Sequence, residues 1–166
     1  MIIRDEIPAD ADAVRAVITA AFAGKPYSDG SEPAVMDRLR AAGAATVALV
    51  AEQAGEVVGQ VAFSPVTVDG RQSVWHCLGP VAVRPDLQGS GIGSALIIAG
   101  LDRLRHLGSV GCVLLGDPGY YRRFGFRTGT AMTAPGYPAE YFMVLPFGAE
   151  TPAACVGFHP AFGAPG

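Results

Sequence analysis

The chain has 166 residues, 50% of them hydrophobic and 16% charged, with 12 Lys and Arg against 15 Asp and Glu for a net charge of −3. A chain of this length makes one ordinary domain able to bury roughly two thirds of its unfolded surface, and so apolar a balance excludes disorder. No basic cluster is long enough to follow a phosphate backbone, which excludes nucleic acid, and the apolar runs 44–51 and 95–101 fall far short of the roughly 18 to 20 residues that cross a bilayer.

The segment Met1-Ile2-Ile3-Arg4-Asp5-Glu6 carries acidic residues where a secretory signal has a basic and then an apolar region, so the cytoplasm is the expected compartment. Ile2 and Ile3 open a short strand. Asp10 is the predicted N-cap of a helix over 11–22, whose Val14, Val17, Ile18, Ala21 and Phe22 fall at helical spacing. A polar loop, Gly24 to Ser31, precedes a second helix over 32–40 with Val35, Met36 and Leu39 on one side. Three β-like stretches follow at 47–52, 57–68 and 74–83, separated by the hairpin-turn dipeptides Ala54-Gly55 and Asp69-Gly70.

From Gly91 to Leu107 the period becomes helical, with Gly108 as predicted C-cap, and a strand follows at 111–115. Strand, glycine loop, helix and strand in that order predict a βαβ crossover between parallel neighbours. A short helical turn is expected at 118–123, a strand near Phe126, a Pro and Gly rich loop at 134–138, and a strand at 140–147. The remainder, 148–166, reads as an irregular C-terminal arm of the same single domain. Cys77, Cys112 and Cys155 form neither a C-x-x-C pair nor a zinc spacing with His76, His106 or His159, so no metal is expected.

Chemistry concentrates at Gln88-Gly89-Ser90-Gly91-Ile92-Gly93-Ser94. The first backbone N–H groups of a helix lack partners within it, the helix dipole favours negative charge there, and glycines let a phosphate approach the backbone. The spacing does not suit a dinucleotide: counted from Gly89 the third glycine of G-x-G-x-x-G would be Ser94, and counted from Gly91 it would be Leu96. No Gly-Lys-Ser or Gly-Lys-Thr occurs either, which removes the P-loop.

The loop resembles the central motif of the GNAT superfamily, the Gcn5-related N-acetyltransferases, which has Gln or Arg, two residues, Gly, one residue, then Gly or Ala. Gln88, Gly91 and Gly93 match it, with Val81-Ala82-Val83-Arg84-Pro85 upstream. A second family segment is a Tyr four residues before a Gly-Phe pair, matched by Tyr121 before Gly125-Phe126. The lead-in Leu115-Gly116-Asp117-Pro118, the stretch Ala62-Phe63-Ser64-Pro65-Val66 and the long tail are similar to the bacterial YhbS-like branch.

The resemblance implies the GNAT fold: an α/β (α+β) domain with a mixed, mostly antiparallel sheet of six or seven strands, a central βαβ crossover and helices on both faces. It implies acetyl-coenzyme A as co-substrate and direct attack of an amine, on a small molecule or a peptide, upon the thioester. The backbone of Val81, Ala82 and Val83 would meet the pantetheine arm, through groups of Val81 and Val83, and the N–H groups of Gln88, Gly89, Ser90, Gly91, Ile92, Gly93 and Ser94 the pyrophosphate. Tyr121 would touch the cofactor sulfur as general acid. The family's carboxylate base lies at or near the position of Cys77, where no acid stands; His76 is the candidate base, and a water chain ending on a backbone carbonyl, or on Asp29 or Glu32, is the alternative. An Asn seven residues before the Tyr is usual in the family, and Leu114 stands there instead. The missing carboxylate base leaves open a coenzyme A binding module without catalysis. The acceptor pocket is expected from 24–31, 73–77 and 131–138, in a monomer or homodimer free of nucleic acid and membrane.

Overall fold

The computed structural model describes residues 1–148 and 150–163, so residues 149 and 164–166 of the predicted arm lie outside it. The chain divides into two compact units, residues 1–63 with 79–103, and residues 64–78 with 104–166. Its elements in chain order are β1 (Ile2–Asp5), α1 (Ala11–Phe22), α2 (Glu32–Ala41), β2 (Val47–Gln53), β3 (Glu56–Val68), β4 (Arg71–Val83), α3 (Ile92–His106), β5 (Gly111–Leu115), α4 (Pro118–Tyr121), β6 (Phe142–Pro146) and β7 (Val156–Gly157). The strands hydrogen-bond in the order β1-β2-β3-β4-β5-β6, with β7 on β3, and β3 and β4 each contribute a part to each unit.

In the first unit β1 pairs antiparallel with β2, and β2 antiparallel with β3 up to Phe63. Both central residues of the two hairpin turns have positive φ, 52° and 79° at Ala54-Gly55 and 51° and 77° at Asp69-Gly70, as the right-handed twist of the flanking strands requires. Helix α1 buries Val14, Val17, Ile18 and Ala21 at the predicted spacing. Helix α3 buries Leu96, Ile97 and Leu101 in this unit. It lies so close to β3 that a Cβ on Gly100 would stand 2.1 Å from the Phe63 ring. Each of these large apolar side chains, removed from water, contributes about 1.5–3 kcal/mol.

Asp10 stands at the predicted N-cap position of α1, but not as a side-chain cap. Its side chain caps nothing in α1; the carboxylate takes a fork of two hydrogen bonds from Arg4, at 2.8 and 3.0 Å, and one from the Ile7 amide at 2.8 Å. The single helical turn at 8–10 before α1 aims the carboxylate backwards. The Arg4 guanidinium holds this buried carboxyl below the usual carboxylate range.

In the second unit β4 runs parallel to β5, Trp75 beside Gly111 and Cys77 beside Val113, and β6 pairs antiparallel with β5. The predicted crossover is therefore present. Two expectations fail here. The stretch near Phe126 is not a strand but one bridge, Arg127 to Val144, because Gly125 at φ 100° turns the chain immediately before it. The tail is not wholly irregular: β7 pairs with Thr67 and Val68 of β3. Val156 enters an apolar cluster with Val66, Trp75, Cys77, Val113, Phe142 and Val144, against which Phe158 and Phe162 pack. Among the described residues no helix is long and apolar enough to cross a membrane.

Candidate active site

The glycine loop joins the end of β4 to α3 in the first unit. Gly89 and Gly91 adopt φ of 81° and 91°, a backbone region that side chains with a Cβ rarely enter, and open space surrounds the point where each Cβ would be. Between them the Ser90 hydroxyl donates to the Leu87 carbonyl at 2.5 Å, closing the turn. The Ala95 amide donates to Gly91 at 3.0 Å as α3 begins, so the amides of Gly91, Ile92 and Gly93 precede that bond at the positive end of a 15-residue helix. Gln88, Gly89, Ser90 and Gly91 are exposed. The arrangement is a turn of backbone donors suited to a phosphate group.

The strand leading into it is held by two peptide groups. The Gln60 side-chain amide donates to the Pro80 carbonyl at 3.1 Å, and the Arg84 amide donates to the Val58 carbonyl at 2.8 Å, so both point toward β3. In a trans peptide the C=O and the next N–H face opposite edges. The Val81 N–H and the Val83 carbonyl therefore face away from β3. Gln88 confirms the second by donating its side-chain amide to the Val83 carbonyl at 3.1 Å. Ala82 turns the other way: it is buried, and its carbonyl would lie 3.4 Å from a Cβ on Gly59 of β3.

Tyr121 closes α4 in the second unit. Asp117 caps this short helix by accepting from the Gly119 amide at 2.9 Å. The Tyr121 ring packs edge-on against Tyr120 at 4.9 Å and Phe126 at 6.2 Å, with Phe124 tilted at 6.3 Å. A Cβ on Gly116 would come within 2.5 Å of it. The ring is located by packing on several sides.

His76 and Cys77 face opposite sides of β4, as alternation demands. Cys77 sits with Trp75 in the apolar cluster, where burial pushes its thiol up to about 12 and keeps it a neutral thiol rather than a nucleophile. The His76 Nδ1 meets the Ser109 hydroxyl at 2.8 Å, and that hydroxyl also lies 3.0 Å from the Val74 carbonyl and 3.2 Å from that of Gly111. With the hydroxyl hydrogen assigned to a carbonyl, the His76 tautomer that fits donates from Nδ1 and carries its lone pair on Nε2. Burial lowers its pKa. It is neutral at pH 7, the state a base needs.

Asp29 and Glu32 are occupied within their own loop. Asp29 accepts from the Ser31 amide at 2.9 Å, and that bond with the Ser31 hydroxyl holds its carboxyl low; Glu32 accepts from the Ser28 hydroxyl at 2.5 Å. A cavity of about 500 Å³ in the second unit is lined by Trp75, Ser109, Val110, Phe147, Glu150 and Pro152; Trp75 belongs to the stretch 73–77 expected to border the acceptor, and none of the predicted catalytic or cofactor-binding residues lines it. Gln60 and Ser109 escaped the sequence reading. For Gln60 a signal existed, an amide inside the otherwise apolar Val57-Val58-Gly59-Gln60-Val61-Ala62-Phe63; Ser109 read as part of a turn.

Residues 44–128 match the acetyltransferase (GNAT) domain family, and both motifs fall within them. The chain is 42% identical over 128 residues to the uncharacterized N-acetyltransferase YhbS of Escherichia coli K12, spanning 76% of this chain and 74% of that protein. The chain belongs to the GNAT acetyltransferase family. As a GNAT member it is an acyltransferase, and its likeness within the family is to YhbS. A GNAT family acetyltransferase from Brucella melitensis, crystallised with acetyl-CoA, superposes with a TM-score of 0.88 at 48% identity, covering 97% of each chain. Escherichia coli YhbS in complex with CoA gives a TM-score of 0.90 at 33% identity, covering 99% of this chain and 93% of that one.

Proposed function

We propose that the protein is an acetyl-CoA-dependent N-acetyltransferase that acetylates an amine on a small molecule or peptide, in the cytoplasm, by direct attack on the thioester. The observation that carries this reading is the glycine loop with Gly89 and Gly91 at positive φ, continuous with a strand whose Val81 and Val83 groups face away from β3. The Brucella and Escherichia relatives crystallised with acetyl-CoA and CoA support it.

Bound acetyl-CoA supplies the activated acyl group. The amides of Gln88 to Ser94 hold its pyrophosphate, and the backbone of Val81 and Val83 hydrogen-bonds the pantetheine as an added strand would. His76 Nε2 is the candidate acceptor for the proton that the substrate ammonium loses before attack. As the new C–N bond forms and the C–S bond breaks, Tyr121 gives its phenolic proton to the departing sulfur, and the proton shed by the new amide nitrogen restores the phenol.

Binding and turnover test this in sequence. Titration calorimetry should give a micromolar or tighter CoA complex, and thioester consumption across a panel of small amines and peptide N-termini should then find at least one acceptor. CoA bound tightly with no turnover on any amine would overturn the transferase reading. NAD binding in place of CoA would overturn the cofactor.

A further inference from the structure

We propose that Gln60 is the positioning residue that sets the coenzyme A-binding edge of β4, an inference resting on the acetyl-CoA reading above. Gln60 stands in the middle of β3, 1% exposed, with its side chain in the core. Its Nε2 donates to the Pro80 carbonyl, while its Oε1 is buried without a hydrogen-bond partner. A buried amide with half of its capacity unmet costs stability, and a residue there only to fill space would serve better as Met or Leu. The Pro80 contact is what the amide contributes.

That contact fixes more than one carbonyl. Pro80 and Val81 share a trans peptide, so holding the Pro80 oxygen toward β3 holds the Val81 N–H toward the opposite edge. The backbone bond from Arg84 to Val58 fixes the far end of the segment in the same sense. Proline removes the N–H of residue 80, so the preceding Gly79-Pro80 peptide has no donor to offer β3. Gly59 lets the two strands and α3 approach at this point: a Cβ there would meet Leu96 at 3.0 Å, Ile92 at 3.1 Å and the Ala82 carbonyl at 3.4 Å. Gln60 thus acts through the backbone of Val81 without touching the reacting atoms.

The test is Gln60→Met, which keeps the volume and removes both the bond and the unpartnered oxygen. The Kd for CoA and the KM for acetyl-CoA should rise about 10-fold, with kcat within about twofold of wild type and the melting temperature changed little. Unchanged CoA affinity in a folded variant, beside a wild type that binds CoA, would overturn the role of Gln60 and leave the acetyl-CoA reading standing; a wild type that does not bind CoA overturns both. If Gln60→Met does not fold, Gln60→Glu asks the same question, because a protonated carboxyl can donate to Pro80 and an ionised one cannot. Its CoA affinity relative to wild type should fall about 10-fold as pH rises through the carboxyl titration, and a ratio independent of pH would overturn the proposal.

Discussion

The glycine loop and the Tyr121 segment are built on opposite principles. From Gln88 to Gly93 the useful groups are backbone amides; the side chains of Gln88 and Ser90 are spent internally, on the Val83 and Leu87 carbonyls, and what the sequence must supply is the ability to adopt φ near +90°. At Tyr121 the useful group is one hydroxyl, and what the sequence must supply is a socket of rings and the bare backbone of Gly116. A site made of backbone is destroyed by changing its conformation, whereas a site made of a side chain is destroyed by removing an atom. The two should therefore fail in separable ways.

The largest effect is expected at the backbone site. Gly91→Val places a β-branched residue at φ 91°, strained by about 1–3 kcal/mol, so the turn must change shape to relieve it. The Kd for CoA should rise by roughly 100-fold or more, with any residual kcat limited by cofactor occupancy. Wild-type affinity in that variant would mean that the loop amides do not bind the pyrophosphate. A smaller loss, of a different kind, is expected from Tyr121→Phe: kcat lower by about 10- to 100-fold with cofactor affinity nearly unchanged, because the ring still fills its socket. A wild-type rate would remove Tyr121 as the acid, and weakened CoA binding would mean that the two regions are not separable.

The smallest effect concerns His76. Burial lowers its pKa, so the unfolded chain takes up the proton first as pH falls below the ordinary value of 6.5, and stability is lost until the folded imidazole also protonates. His76→Asn retains a donor for Ser109 and cannot titrate. Between pH 7 and pH 5 the wild type should lose about 2–4 °C more in melting temperature than this variant. Parallel melting curves would refute the buried neutral state. Carboxylates such as Asp10 titrate lower and alike in both proteins. The kcat of the same variant decides the catalytic question, since a base lost at residue 76 lowers it and a purely structural histidine does not.

The contrast also explains what could be read from the sequence. Positions whose role is conformational announce themselves: Gly55, Asp69-Gly70, Gly89 and Gly91 all adopt the positive φ that their residue types suggest. The apolar period of α1 and α3 likewise gave helices within a residue or two of those found. Positions whose role depends on distant partners do not. Asp10 looked like a cap because nothing local reveals that Arg4 competes for its carboxylate. β7 was missed because two residues acquire strand pairing only from Thr67 and Val68, almost 90 positions earlier. Gln60 is of the same kind, its meaning residing in a carbonyl 20 residues away.

β7 has a consequence outside catalysis. β2 accompanies β3 only as far as Phe63, and Thr67 and Val68 beyond it would be a bare strand edge if the tail did not lie there. Mutual bonds between Asp69 and Cys155, amide to carbonyl at 2.8 Å and amide to carboxylate at 2.9 Å, fasten the tail in place. Unsatisfied strand edges recruit strands from other molecules. The stretch 155–157 therefore covers the part of the β3 edge that β2 leaves open.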